Sequence, residues 1–519
     1  MSRIEAQIRR RCKRIVLKRR RRIARRLKHR QGHIRDTPMI SASNIHYDLA
    51  DRTTATHAGG IGAMHVLARR IGLIEKIDEH LQLLKLHQPY HESDHVLNIA
   101  YNILAGGRCL EDLELRRCDE AYLDGLGAER VPDPTTAGDF CRRFSEPDVL
   151  ALMHAINTVR VKLWQQQPTS FFKEAIIDAD GTMAPTTGQC KQGMDISHKG
   201  EWGYHPLVIS LANTGEVLFV INRPGNRPSH EDAAKYLAMA ATLCRAAGFK
   251  RVRFRGDSDF TQTRELDAWD AAKHRFVFGM AAMANLVDLA NYLPDHAWQP
   301  LTRKVKYELK TEPRTRPANV KEQVVRDRRF RNIRLQSEDV AEFDYLPTAC
   351  RKSYRLVVVR KNLSIEKGEQ RLFDDVRYFF YLTNDRTMAA SQVVFDANER
   401  CDQENLIAQL KGGVRALHAP VDNRVSNWAY MVMASLAWTL KAWFALSLPE
   451  SPRWRDKHKS EKRTLLRMEF RTFVNQFMNV PCQIIKAGRR IVHRLLAWNP
   501  WQQAFLRVVE AIRSRPMQC

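Results

Sequence analysis

Two apolar segments of this chain each end in a pair of acidic residues, and this feature restricts the fold more than any other. The segment FFKEAIIDAD ends in Asp178 and Asp180, and the segment VRFRGDSD ends in Asp257 and Asp259. Side chains two residues apart lie on the same side of a strand, so each pair is expected to share one face. Burial of a carboxylate is costly unless it is paired, and in open α/β sheets ligands gather at the carboxyl ends of strands. Both segments are therefore predicted to be strands that finish at a ligand site.

The residues around these acids alternate between strand and helix patterns. Residues 205–222 read as a β-hairpin with a turn that contains glycine, and residues 233–247 read as a helix. A second helix is expected at 263–274, followed by a strand at 275–279. This order predicts an α/β fold with a mixed sheet.

Residues 285–390 interrupt the alternation with further strand-like runs, joined by basic stretches such as VVRDRRFRNI. The runs are Leu301–Leu309, Tyr354–Val359 and Tyr378–Leu382, and they predict a β-rich insertion. The chain before residue 165 and after residue 390 reads as helical. The short helices of the N-terminal part suit either a DNA reader of the helix-turn-helix type or an ordinary helical cap on a larger domain.

The chain is strongly basic, with 84 Lys and Arg against 58 Asp and Glu, for a net charge of +26. Residues 1–30 hold fifteen of the cations and a single acid, Glu5. Such a run predicts a polyanionic partner, nucleic acid first and an anionic membrane second. Its apolar residues are too sparse for a signal peptide, so we expect a cytoplasmic protein.

One stretch, Ala429–Leu448, is apolar enough to suggest a membrane span. Lys441 interrupts it, so a buried helix is the better prediction. The ten cysteines have no spacing typical of a zinc site and are expected to be reduced thiols.

A third acid, Glu404, lies in a helical segment between two cations. Arg400 precedes it by four residues and Lys411 follows it by seven, so the three are expected to share one helix face. A solvated ladder of ion pairs is the simplest interpretation of such a face. Glu404 is also a third candidate for a carboxylate that carries chemistry.

The order Asp, Asp, Glu, with a β-rich insertion before the Glu, resembles the DDE transposases of bacterial insertion sequences, whose catalytic domain is RNase H-like. The Asp-Gly-Thr sequence at Asp180 is similar to the family's first motif, and GDSDF around Asp257 is similar to its second, Ala-Asp-Ser-Gly-Phe. One large branch carries Tyr-x2-Arg-x3-Glu-x6-Lys around the Glu. This chain matches that signature at Arg400, Glu404 and Lys411, and departs from it at Ala397, where the family has Tyr.

The resemblance implies a catalytic trio, Asp180, Asp257 and Glu404, that binds two Mg²⁺ ions, with Mn²⁺ as a substitute. Asp178 and Asp259 remain alternatives for the two aspartates, although the match to Asp-Gly-Thr favours Asp180. The candidates for contact with DNA flank the Glu or combine an aromatic ring with guanidinium groups in the insertion. They are Arg400, Lys411, Trp298, Arg326, Arg328 and Arg329.

The implied fold class is α/β: an RNase H-like mixed-sheet catalytic domain with a β-rich insertion, flanked by helical N- and C-terminal regions. Six parts are predicted along the chain. They are a basic arm (1–36), a helical DNA-binding region (37–165), the first part of the catalytic domain (166–284), the insertion (285–390), the second part of the catalytic domain (391–450) and a basic helical C-terminal region (451–519).

The implied function is cut-and-paste DNA transposition, with binding of terminal inverted repeats, metal-dependent cleavage and strand transfer into target DNA. The implied partner is double-stranded DNA, bound by a homodimer in the cytoplasm at the nucleoid, with no membrane partner. Two alternatives are a metal-dependent nuclease that does not join DNA and a DNA-binding regulator without catalysis.

Overall fold

The computed structural model describes residues 3–28, 42, 44–47, 53–303, 319–368, 370–488 and 490–515. The chain divides into two compact units, which we call the helical unit and the sheet unit. The helical unit comprises Met1–Leu163, Gly188–Gln192 and Ala408–Cys519, and the sheet unit comprises Trp164–Thr187 and Gly193–Ile407.

The sheet unit is built on one nine-stranded sheet. Its strands in chain order are β1 (Ala175–Gly181), β2 (Leu207–Leu211), β3 (Glu216–Ile221), β4 (Val252–Gly256), β5 (His274–Met280), β6 (Gln299–Pro300), β7 (Arg331–Tyr345), β8 (Tyr354–Lys367) and β9 (Gln370–Thr383). Their order in space is β6-β7-β8-β9-β5-β4-β1-β2-β3.

Five of these strands form a mixed core. β1, β4 and β5 are parallel neighbours. β2 is antiparallel to β1, and β3 is antiparallel to β2. The predicted hairpin is the β2–β3 pair, and the predicted strand at 275–279 lies within β5. This arrangement confirms the predicted α/β fold class with a mixed sheet.

Burial explains the composition of the core strands. Every residue of β2, β3 and β4 is buried, so apolar side chains occupy almost every position of the β2 and β3 sequences instead of alternating with polar ones. Helix Ala233–Ala247 connects β3 to β4 and packs against β1 and β4. It ends at Gly248, whose φ of 111° suits glycine and terminates the helix as the sequence predicts.

The insertion extends the core sheet at one edge. β9 pairs with β5, with Thr383 opposite Val277, and β8 and β7 follow outwards. The runs predicted at 354–359 and 378–382 lie within the much longer strands β8 and β9. The run predicted at 301–309 falls largely outside the described residues.

A small apolar cluster seats the helix that leads to Glu404. Val340 of β7 and Val357 and Val359 of β8 are buried against Val393 and Val394 of helix Ala390–Glu399. Phe395 and Ala397 pack at the edge of the same cluster. Ala397, which replaces the family's Tyr, is therefore part of the apolar contact between this helix and the sheet.

The remaining elements of the sheet unit are short. They are helices Leu266–Ala271, Ala284–Asn291, Val320–Asp327 and Cys401–Lys411, the last of which continues into the helical unit, and a three-stranded sheet of Ala184–Pro185, Asp195–Ile196 and Trp202–Tyr204.

The helical unit contains most of the helices, as the sequence predicts for both ends of the chain. They are Arg3–Lys28, Ile61–Arg70, Leu73–His80, Glu92–Leu104, Leu113–Arg117, Glu120–Leu126, Pro134–Arg142, Glu146–Trp164, Arg424–Leu446, Arg455–Arg467, Phe470–Phe473 and Gln502–Ser514. Ala55–Thr56, Cys482–Ala487 and Arg490–Leu495 form its small sheet.

Helix Arg424–Leu446 contains most of the apolar stretch Ala429–Leu448. By length and composition it could cross a membrane, but its apolar window is buried throughout within the structure. The expectation of a buried helix is confirmed. The nine cysteines in the described part of the chain are free thiols.

Candidate active site

The sheet brings Asp180 and Asp257 to the same edge. Asp180 is the last residue but one of β1, and Asp257 directly follows β4. The two strands are parallel neighbours with Asp178 opposite Arg255, so Asp180 and Asp257 both lie two residues beyond this pair. The carboxyl ends of two adjacent parallel strands thus carry one aspartate each, which is where α/β sheets form their ligand sites.

One guanidinium group joins Glu404 to these aspartates. Arg400 follows helix Ala390–Glu399, and Glu404 lies in the first turn of helix Cys401–Lys411, which we call the Glu404 helix. Arg400 Nη1 lies 3.8 Å from Asp180 Oδ2 and 3.9 Å from Asp257 Oδ2, and Arg400 Nη2 lies 3.5 Å from Glu404 Oε1. The three acids that the resemblance selects therefore surround a single cation.

Exposure of the three carboxylates is graded. The Asp180 side chain is 14% exposed, that of Asp257 36% and that of Glu404 58%. The site is therefore closed on the side of β1 and open to solvent on the side of the Glu404 helix, so a large polyanion has access to the acids.

Negative charge exceeds positive charge at this site. Burial and the neighbouring Asp257 carboxylate raise the pKa of Asp180 to about 7, although Arg400 opposes the shift. Burial also raises the pKa of Asp257, again against the influence of Arg400. One arginine does not fully compensate three acids in this environment, and a further cation would relieve the repulsion between them.

The donor chemistry of the site fits a hard divalent cation, because Mg²⁺ prefers carboxylate oxygens and water. Among the described residues, no group of three or more His, Cys, Asp or Glu side chains is close enough together to hold a metal ion. The carboxylates of Asp180, Asp257 and Glu404 are arranged around the Arg400 guanidinium instead. The fit to a metal thus rests on the ligand types and on the excess of negative charge.

Asp178 has a different environment from Asp180. Both of its carboxylate oxygens accept hydrogen bonds from Arg255, from Nε at 2.7 Å and from Nη2 at 2.8 Å, and its side chain is only 1% exposed. Burial raises the pKa of Asp178, whereas the paired Arg255 lowers it. A carboxylate that is fully engaged and closed to solvent is unsuited to hold a metal ion, which favours Asp180.

Asp259 is exposed, and its backbone N–H donates to Asp257 Oδ1 at 3.0 Å. This bond orients Asp257 without using the Asp259 carboxylate. The geometry therefore favours Asp257 over Asp259 as the second acid of the site.

Arg255 is a structural residue that the sequence reasoning missed. Besides Asp178 it binds the helix before Glu404, with Nη1 donating to the Asp396 carbonyl oxygen at 3.0 Å and lying 3.5 Å from Glu399 Oε2. Arg253, on the same strand, pairs with Asp396 at 2.9 Å and with Glu174 at 3.2 Å. The available signal was two arginines on one face of a strand that is otherwise apolar, since buried cations require acidic partners.

Four of the other residues predicted to contact DNA, namely Trp298, Arg326, Arg328 and Arg329, lie between β5 and β7 along the chain. Lys411 is the last residue of the Glu404 helix and belongs to the helical unit. Trp298 is half-buried, with the Arg360 guanidinium 4.3 Å from its ring centroid and the Tyr378 ring 6.1 Å away. Arg326 pairs with Glu322 at 3.3 Å in helix Val320–Asp327. Arg328 and Arg329 are exposed just after that helix.

Replacing Asp178 with Asn is expected to lower the free energy of unfolding at pH 7 by about 3–5 kcal/mol, because it removes the buried carboxylate that pairs most closely with the buried Arg255 guanidinium. Urea unfolding measures the change. Asp259→Asn is the matched control, since an exposed substitution changes stability by about 0.5 kcal/mol or less. Superimposable unfolding curves for the wild type and the Asp178 variant would contradict the structural role of the pair.

Replacing Asp180 with Asn is expected to raise the free energy of unfolding at alkaline pH, when EDTA keeps the site free of metal. The pKa of Asp180 is about 7 in the folded protein against an ordinary value of 3.8, so the folded state binds more protons between these values and wild-type stability falls as the pH rises through this range. The variant should lack this decline and should be more stable than the wild type above pH 7, by about 1–4 kcal/mol. Urea unfolding over a pH series tests this, and a variant less stable than the wild type there would refute it.

Comparison with known proteins identifies the family. A family model described as "Transposase DDE domain group 1" matches residues 39–517, nearly the whole chain. Comparison with curated proteins finds no match. One solved structure with some similarity is described as "Cryo-EM structure of piggyBac transposase synaptic complex with hairpin DNA (SNHP)"; it is 11% identical, covers 82% of this chain and 84% of that chain, and has a TM-score of 0.37. A likeness this distant carries no information about the chemistry of the site, but the family match spans both the sheet unit and the helical unit, and the chain belongs to the transposase DDE domain family, group 1.

Proposed function

We propose that this protein is a cut-and-paste transposase that binds the terminal inverted repeats of its element, cleaves the DNA there and joins the freed ends to target DNA. The observation that carries the proposal is the convergence of Asp180, Asp257 and Glu404 on the Arg400 guanidinium. These acids come from two adjacent strand ends and one helix, in the order that the DDE resemblance implies. Family membership supports the general class of reaction.

Asp180, Asp257 and Glu404 would hold two Mg²⁺ ions, which when bound supply activation of a water or 3′-hydroxyl nucleophile and stabilisation of the leaving oxygen. The charges at the site are consistent with this role, since burial and mutual repulsion give Asp180 a pKa of about 7. Arg400 lies among the acids and would bind a phosphate oxygen of the cleaved strand. No side chain has to act as a nucleophile in such a reaction.

The helix Arg3–Lys28 supports a role in DNA binding. Among its described side chains the exposed cations are Arg10, Arg11, Lys13, Arg14, Lys18, Arg20, Arg21, Arg22, Arg25 and Arg26. Val16 is buried, and Arg19 donates to the carbonyl oxygen of Leu495 at 2.9 Å. The helix is thus held within the helical unit and presents its cations to solvent, as a surface that binds phosphates would.

Partners and location follow from this function. Joining two ends of one element suits a homodimer on DNA. The substrate would be double-stranded DNA, and the protein would act on it at the nucleoid in the cytoplasm. The helical region around residues 37–165 would contribute to recognition of the repeats. Lys411, Trp298, Arg326, Arg328 and Arg329 remain proposed contacts to the DNA backbone or to unpaired bases.

Substitution of the acids should separate cleavage from binding. Asp180→Ala, Asp257→Ala and Glu404→Gln are each expected to abolish Mg²⁺-dependent cleavage of an end fragment, because each removes a carboxylate that would hold metal. Binding of the same fragment in EDTA should persist, and Asp259→Asn should cleave as the wild type does. Wild-type cleavage by any of the three variants would remove that residue from the site.

The products distinguish the alternatives. The assay supplies a labelled end fragment and supercoiled target DNA with Mg²⁺ or Mn²⁺. Joined product supports a transposase, whereas cleavage without joining supports a nuclease. Binding without cleavage in either metal supports a regulator without catalysis.

Neutralising four cations of the N-terminal helix should weaken DNA binding in a salt-dependent way. Replacing Arg20, Arg21, Arg22 and Arg25 with Gln removes four guanidinium groups that could each neutralise a phosphate. The slope of log K against log salt concentration should then become shallower by about 0.9 for each phosphate that is no longer neutralised. Fluorescence anisotropy over a salt series measures this slope, and an unchanged slope would show that this helix does not bind the phosphates.

A further inference from the structure

The Glu404 helix carries a buried amide next to its acid. The Gln403 side chain is among the most buried polar groups of the structure, with a residue exposure of 1%. Its Nε2 donates to the Val208 carbonyl oxygen at 3.0 Å, and its Oε1 accepts a hydrogen bond from the Ser210 hydroxyl. Donor and acceptor groups of the amide are thus both satisfied, and both partners belong to the single strand β2.

This strand is the immediate neighbour of the strand that carries Asp180. Val208 lies opposite Asp180, and Ser210 lies opposite Asp178, in the β1–β2 ladder. The pairing of β2 with β3 shifts register between Ile209 and Ser210, and bulges of this kind re-aim side chains next to functional sites. The Gln403 amide therefore connects the residue before Glu404 to the backbone beside Asp180.

Glu404 itself has no comparable restraint. Its side chain is 58% exposed, and its ion pair is with Arg400, four residues earlier on the chain. Apolar neighbours on the helix such as Leu406 and Ile407 are buried, but apolar packing is non-directional and tolerates small shifts. A buried amide is less tolerant, because movement of the helix along β2 would leave its donor and acceptor groups unsatisfied.

We propose that Gln403 is a positioning residue for the active site: its two hydrogen bonds to β2 set the place of Glu404 relative to Asp180. This inference rests on the function proposed above, since it concerns the same three acids. Gln403 takes no part in the reaction and touches no substrate. It acts through the helix, and misplacement of a reacting group by about 1 Å is enough to slow an enzyme about 100-fold.

The test uses the full-length chain with Gln403→Leu, which keeps a side chain of similar size and removes both hydrogen bonds. Ser210→Ala removes one bond, and the double variant completes a mutant cycle. Two controls lie on the same helix. Leu406→Ala weakens apolar packing without touching the amide, and Asp402→Asn changes an exposed residue.

Two readouts are needed, of which one does not depend on catalysis. Titration of Mn²⁺ followed by electron paramagnetic resonance gives the affinity of the metal in the absence of DNA. Single-turnover cleavage of an end fragment gives the rate. Urea unfolding ranks the variants by stability, so that Gln403→Leu is compared with Leu406→Ala at matched loss of stability.

We expect Gln403→Leu to weaken Mn²⁺ binding about 10-fold or more and to slow cleavage about 10- to 100-fold, with affinity for the end fragment unchanged. Ser210→Ala should have a smaller effect, and the double variant should be no worse than Gln403→Leu. Leu406→Ala and Asp402→Asn should bind Mn²⁺ as the wild type does.

Equal Mn²⁺ binding by the wild type and Gln403→Leu, including no binding by either, overturns the inference. An equal loss in Leu406→Ala at matched stability also overturns it, because general destabilisation would then explain the effect. Failure of the proposed function gives a separate result: a wild type that binds Mn²⁺ but neither cleaves nor joins DNA. In that case the difference in Mn²⁺ affinity between the wild type and Gln403→Leu still decides the role of Gln403.

Discussion

The compensation of buried negative charge is the constraint on which this structure depends. Strand β1 carries Asp178 and Asp180 where water is largely excluded, and Asp257 follows the parallel strand β4 in a partly exposed position. Each layer of acids has its own arginine. Asp178 is paired with Arg255 by two short hydrogen bonds. Two residues further along, Asp180 and Asp257 are joined by Glu404 and share Arg400 at longer distances. The first layer is balanced, whereas the second retains an excess of negative charge.

The two layers of acids differ in what they contribute: the first stabilises the fold, and the second concentrates negative charge. The balanced layer connects β4 to β1 and to the helix before Glu404, because Arg255 of β4 contacts both. The unbalanced layer is held at high electrostatic cost, which is visible in the raised pKa of Asp180. Sites that store such repulsion are commonly functional, since a ligand of opposite charge can release it.

The sequence predicts the core strands and, through the resemblance, selects three acids, but it does not predict the surroundings of those acids. Apolar strands that end in Asp178–Asp180 and Asp257–Asp259 can be read directly from residue spacing, and so can the helix with Glu404. The preference for Asp180 over Asp178 depends on the pairing of Asp178 with Arg255, which lies far away in sequence. Strand β7 is not apparent because its exposed half is basic and polar and lacks the apolar pattern of a strand. Gln403 resembles any surface glutamine until β2 is known to cover it.

The insertion leaves the core sheet and returns to it on adjacent strands. The long excursion between the second aspartate and Glu404 leaves the core after β5 and returns through β9, which pairs with β5 itself. Its two ends therefore meet on adjacent strands, whatever lies between them. Segments of very different length and content could occupy this excursion while the distance that the chain must span to reach the glutamate stays fixed. The architecture thus permits exchange of an entire module between the second aspartate and Glu404 without redesign of the core strands.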